Sequence, residues 1–96
     1  MPAYVIAFMQ VNDDKKYDED YVAHVGPLVA KYGGKPLALT AAPDIREGSW
    51  PAGRNILIEF PDRESAVAWY EDPEYAPLIK LRNQLADGPL AILEGL

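Results

Sequence analysis

AYVIAFMQV, spanning Ala3 to Val11, is apolar at odd and even positions alike. Successive side chains of a strand point to opposite faces, so Tyr4, Ile6 and Phe8 line one side while Val5, Ala7 and Met9 line the other. Such a strand is covered on both sides. The clearest other strand is RNILIEF, Arg54 to Phe60, where Ile56 and Ile58 alternate with Leu57. In PLAILEG, Pro89 to Gly95, Leu90 and Ile92 alternate with Ala91 and Leu93. A further segment, KPLALTAA, Lys35 to Ala42, reads as a strand with poor alternation. Pro36 and Pro43 assign it to an edge, because proline cannot donate to a ladder.

Helical spacing fills the gaps between these strands. Asn12-Asp13-Asp14 is a capping cluster. After it Tyr17, Tyr21, Val25, Leu28 and Tyr32 form a stripe that ends at Gly33-Gly34. Pro27 within this helix deprives the Ala23 carbonyl of its partner and predicts a kink, with a notch one turn from His24. Asp62 caps a second helix through Ala66, Trp69 and Tyr70, which Pro73 interrupts. A last helical piece covers Ala76–Leu85 and closes at the turn Asp87-Gly88-Pro89. Pro43 to Gly53, with two prolines and two glycines, is a long loop that suits a lid.

The order is β-α-β-β-α-β, an α+β ferredoxin-like fold with a four-stranded antiparallel sheet and both helices on one face. Two helices cover one face only, and the other would stand as an apolar sheet larger than soluble monomers tolerate. A second copy is the simplest cover, so a homodimer with sheets face to face is expected, burying about 1,600 Å² or more.

The 96 residues suit one domain, residues 1–96, with a thin core. A net charge of −6 without a basic stripe argues against nucleic acid and anionic membranes as partners. No cysteine is present, which removes disulfides, thiolate metal sites and cysteine nucleophiles. With no secretory-type leader and no apolar run of spanning length, the expected location is cytoplasmic.

Larger pieces of the chain form a recognisable pattern. YDEDYVAHVGPLVAKYGGKPLAL (Tyr17–Leu39), EGSWPAGRNILIEFPDRESAVAWYEDPEY (Glu47–Tyr75) and the terminal Glu94-Gly95 resemble the domain-of-unknown-function family DUF1330, within the dimeric α/β-barrel superfamily. The resemblance covers Tyr4 to Gly95. It implies a dimer, with a cleft between sheet and helices in each subunit. Family members carry an arginine and a glycine pair after the second strand, where this chain has Leu39-Thr40-Ala41-Ala42. This chain has lost that arginine or supplies the group from Arg46 or Arg54.

Few residues offer chemistry. His24, the single histidine, lies three residues after Tyr21 and four before Leu28, and is the natural general acid/base candidate; a half-exposed helix histidine is the plainer reading. Arg54 opens its strand and could hold a carboxylate or enolate oxygen, or else pair with Glu47 or Glu59. Glu59, five residues on, faces the opposite side of the sheet. Arg82 carries the same ambiguity as Arg54. Tyr21 could donate to a ligand, Glu47 and Trp50 belong to the loop, and Trp69 and Tyr75 could wall a pocket. AWYEDPEY itself, Ala68–Tyr75, reads as a helix–turn–helix bracket giving a pocket one ring at most. No spacing of metal ligands occurs.

Two functions fit. One is a cofactor-independent enzyme acting on a small carbonyl-bearing molecule, as the monooxygenases and lactone isomerases of the resembled superfamily imply, with His24 as acid/base and Arg54 as oxyanion partner. The other is a non-catalytic ligand-binding or stress-related module. The superfamily also includes haem binders, for which His24 is the one ligand available.

Overall fold

In the computed structural model, which describes Met1–Leu96, β1 (Ala3–Val11) is the central strand. It pairs antiparallel with β3 (Arg54–Phe60), in the register Ala3 to Phe60 through Met9 to Arg54. Its other edge meets two short strands, β4 (Ala86–Asp87) and β5 (Leu90–Glu94). On the outside of β3 lies β2 (Lys35–Thr40), an edge strand as its proline predicted, with a register shift between Pro36 and Ala38. The fold is ferredoxin-like, βαββαβ.

Two strand boundaries differ from expectation. β2 stops at Thr40, whose hydroxyl accepts from the Ala42 amide and turns the chain away. The segment Asp87-Gly88-Pro89 is not a turn ahead of the last strand but an interruption within it. Gly88 has φ 154° and its Cα side lies against the Phe8 carbonyl, where a Cβ would sit 1.7 Å from the oxygen. The Phe8 amide still finds a partner in the Pro89 carbonyl at 3.1 Å. The edge is thus kept in register across a proline that donates nothing.

The first helix, α1, is a composite. Asp14–Lys16 and Ala23–Lys31 are α-helical, and Tyr17–Val22 between them is π-helical. Asp13 caps its start by accepting from the Lys16 amide. Its end is closed at Gly33, in the left-handed region at φ 78°, and at Gly34, where Val29 and Phe60 leave no room for a Cβ. Helix α2 (Arg63–Glu71) is capped by Asp62, which accepts from the Ser65 amide at 2.7 Å. Asp72 is extended before Pro73, and α3 (Ala76–Leu85) follows.

All helices lie on the face carrying Ala3, Val5, Ala7, Met9, Ile58 and Phe60, which together with Trp69 and Tyr75 form the buried core. The opposite face presents Tyr4, Ile6, Phe8 and Leu57, half-buried, and Leu93, half-exposed, with no helix over them. No helix is long and apolar enough to cross a membrane.

Candidate functional site

Between α1 and the sheet is a cavity of about 390 Å³. Its walls are apolar: Val5, Ala7 and Met9 from β1, Ile56 and Ile58 from β3, and Val25 and Val29 from α1. Its polar groups form a single row. Arg54 stands over the Tyr17 ring, its guanidinium carbon 4.9 Å from the centroid. Tyr17 packs on Tyr21 at 5.1 Å and Tyr21 on Tyr75 at 6.5 Å. The Tyr21 and Tyr75 hydroxyls share a hydrogen bond of 2.6 Å, and Arg82 donates to the Tyr75 hydroxyl at 3.1 Å. Trp69 stacks on Tyr75 at 4.6 Å and closes the inner end.

The two ends of the row differ in charge. Arg54 donates to Asp18 and to Asp14, both at 2.7 Å, and these carboxylates hold it charged. The expected alternative partners, Glu47 and Glu59, are not the ones it meets. Arg82 is 7% exposed, and no carboxylate lies within salt-bridge distance of it. The side-chain oxygens around it are phenolic: Tyr75, Tyr21 and Tyr70. Burial pushes the Tyr75 phenol well up, with its neighbour Tyr21 adding to the effect. Burial likewise raises Tyr17 to about 12, with Tyr21 reinforcing and Arg54 opposing. These phenols are neutral hydrogen-bonding groups near neutral pH. The Trp69 indole N–H is buried and has no acceptor in the protein.

Of the residues singled out from sequence, Arg54, Tyr21, Trp69, Tyr75 and Arg82 converge on this cavity. His24 does not. It flanks a separate open depression with Pro27, Lys31 and Glu74 on the outer side of α1, so the notch expected at the proline exists but faces away from the cavity. The π-helical segment explains the error. Counted at 100° per residue, His24 comes within about 20° of Tyr17. A π turn advances only about 80° per residue, so over Tyr17–Val22 the phase falls back by roughly 100°. Val22 and Val29 join Val25 on the cavity side, and His24 rotates out.

The loop residues are also elsewhere. Trp50 makes an edge contact with Phe8, ring centroids 5.6 Å apart, and donates to Asn55. Phe8 belongs to the face away from the helices, so the loop is no lid on this cavity. Glu47 is exposed and outside it. Arg46 pairs with Asp44 at the surface, leaving Arg54 as the arginine near Leu39-Thr40-Ala41. AWYEDPEY contributes two rings to the cavity, Trp69 and Tyr75, one more than expected. Tyr17 was legible only as part of the buried stripe, and Asp14 and Asp18 only as acidic residues near a helix start. No group of three or more His, Asp or Glu is placed to hold a metal ion.

Residues 2–96 match the family model described as "Domain of unknown function (DUF1330)". The chain belongs to the DUF1330 family. None of the curated proteins matches it. Among solved structures, this DUF1330 protein is similar to RPA0582, a protein of unknown function from Rhodopseudomonas palustris, with a TM-score of 0.74 and 20% identity over 99% of this chain and 82% of that one. SnoaB, a cofactor-independent oxygenase from Streptomyces nogalater, aligns with a TM-score of 0.67 and 14% identity over 99% and 93% of the two chains. An ethyl tert-butyl ether (ethD) family protein from Bacillus halodurans gives 0.62 and 22%, with both chains fully covered. At these identities the similarity concerns the fold.

Proposed function

We propose that this DUF1330 protein binds a compact, largely apolar, carbonyl-bearing molecule in the cavity between α1 and the sheet, and acts on it without a bound cofactor. The observation that supports this is the combination of apolar walls with one row of converging donors, Arg82, Tyr75 and Tyr21. A buried guanidinium beside a neutral phenol polarises a carbonyl and stabilises charge that develops on its oxygen. Arg54, fixed by two aspartates, shapes the entrance. His24, outside the cavity, has no part in this reading. The similarity to the fold of SnoaB is consistent with proton or oxygen chemistry of this type.

A thermal-shift screen of small quinones, lactones and aromatic acids tests the reading, with product analysis by mass spectrometry for each compound that stabilises. A compound that stabilises the wild type should lose its effect on Gly26→Phe. Gly26 lies on the cavity rim with open space around its Cα, so the ring narrows the entrance and leaves the core intact. If no compound stabilises the wild type, the reading fails.

The open sheet face carries a second part of the proposal, a homodimer through Tyr4, Ile6, Phe8 and Leu57. An apolar surface of this extent is best matched by its own copy. Light scattering after size exclusion should give twice the chain mass at micromolar concentration, and Ile6→Glu should give the chain mass. A wild-type monomer would rule the dimer out.

A further inference from the structure

We infer that the ligand of this cavity is a monoanion, a single carboxylate on an apolar body, bound with the carboxylate toward Arg82; this deepens the proposed function and rests on its cavity. The inner end holds a full positive charge nine-tenths buried with only neutral phenols around it. Burying an isolated charge is costly, and the usual remedy is an opposite charge in hydrogen-bonding contact. Arginine offers five donors in a planar fork matched to a carboxylate, and Tyr75 accepts from it only through one oxygen. The Trp69 N–H is buried beside this end without an acceptor. The inner end is therefore rich in donors and lacks an acceptor bearing charge.

The entrance sets the upper limit on that charge. Arg54 is matched there by both Asp14 and Asp18, and Asp18 itself lines the cavity. One cation against two carboxylates leaves the mouth negative. A second anionic group on the ligand would lie against Asp18, whereas a neutral tail meets apolar side chains and the rings of Tyr17 and Tyr21. Charge thus favours one carboxylate, inserted first, over both a neutral molecule and a dianion.

Three probes with one carbon skeleton separate these cases: 2-naphthoate, 2-naphthamide and 2,6-naphthalenedicarboxylate, titrated at pH 7 by calorimetry and by Trp emission. 2-Naphthoate should bind about tenfold to a hundredfold tighter than the amide, as expected of a hydrogen bond to a charged group, and tighter than the dicarboxylate. Its binding should shift the emission of the Trp50→Phe protein, in which Trp69 is the remaining indole. Arg82→Met should remove the preference for acid over amide, and Arg82→Lys should retain part of it. Equal binding of acid and amide by the wild type overturns the monoanion inference while the apolar cavity stands. Strongest binding by the dicarboxylate overturns it as well. If none of the three binds at millimolar concentration, the cavity reading itself fails and this inference falls with it. The wild-type comparison decides the matter even if an Arg82 variant does not fold.

Discussion

Arg54 and Arg82 contribute to the same cavity and are solved in opposite ways. Arg54 is a quarter exposed, and two aspartates from α1 grip it. Its charge is satisfied within the chain, and its role is to tie the start of β3 to the start of α1. Arg82 is buried and meets phenols alone, which leaves its charge free to act on something else. The lesson is that burial and partner, not residue type, distinguish a clamp from a recognition group.

The strongest test of this contrast removes the floor beneath one of the two. Trp69→Ala takes away the ring stacked on Tyr75 and should cost about 3–5 kcal/mol in urea unfolding. Trp50→Ala, on the half-exposed loop, should cost under about 1 kcal/mol. Similar losses for both would mean that the inner end is no better packed than the loop.

Next come the arginines themselves. Arg82→Met replaces a poorly matched buried charge by an apolar side chain, so stability should hold or rise. Arg54→Met should lower stability by about 1 kcal/mol, and the difference from wild type should shrink in 1 M salt, because its aspartates are exposed and screened. If both variants lose equally, the distinction between clamp and free charge collapses.

Acid sharpens the same contrast, with a smaller effect. Arg54 holds Asp18 below the ordinary carboxylate range. Asp72 is lowered too, first by the Tyr32 hydroxyl and then by the Glu74 amide. Both pKa values are depressed on folding, so their stabilisation is complete above the ordinary aspartate value of 3.8 and is lost as the pH falls through the lowered folded values. Asp72→Asn should flatten the acid limb of a plot of Tm against pH, whereas Arg82→Met should leave that limb unchanged. The least effect is expected at Gly26→Ala, a gain of about 0.5–1 kcal/mol from helix propensity with the cavity intact.

Much of the fold was legible because strands report both faces through a period of two. AYVIAFMQV and RNILIEF placed β1 and β3 correctly, and the split of Arg54 from Glu59 followed from odd spacing alone. The caps Asp13 and Asp62 were legible from residue type. The cavity was legible in part: aromatics and arginines announced themselves, yet their roles depended on partners distant in sequence. Nothing in the order of residues pairs Arg54 with Asp14 and Asp18, or sets Arg82 among tyrosines. Glu47 and Trp50 lie in a loop, which has no period from which to read a direction. His24 belongs in the cavity only if a regular α-helix runs across Tyr17–Val22; the structure agrees with its plainer reading as a surface helix histidine.

The π-helical segment of α1 has a consequence for how such a cavity can be kept. Each i to i+5 turn holds one residue more than its α counterpart. Deleting a single exposed residue, Glu19, would let the helix close as a continuous α-helix with Lys31 and β2 left in place. Five π steps from Tyr17 to Val22 turn the chain by about 400°, and four α steps turn it by the same amount, so Tyr17 and Asp18 would keep their facing relative to the rest of the helix. The Arg54 clamp would hold, and the entrance would keep its negative charge. Length variation in α1, which in most helices is disruptive, is here absorbed at one position without moving the site.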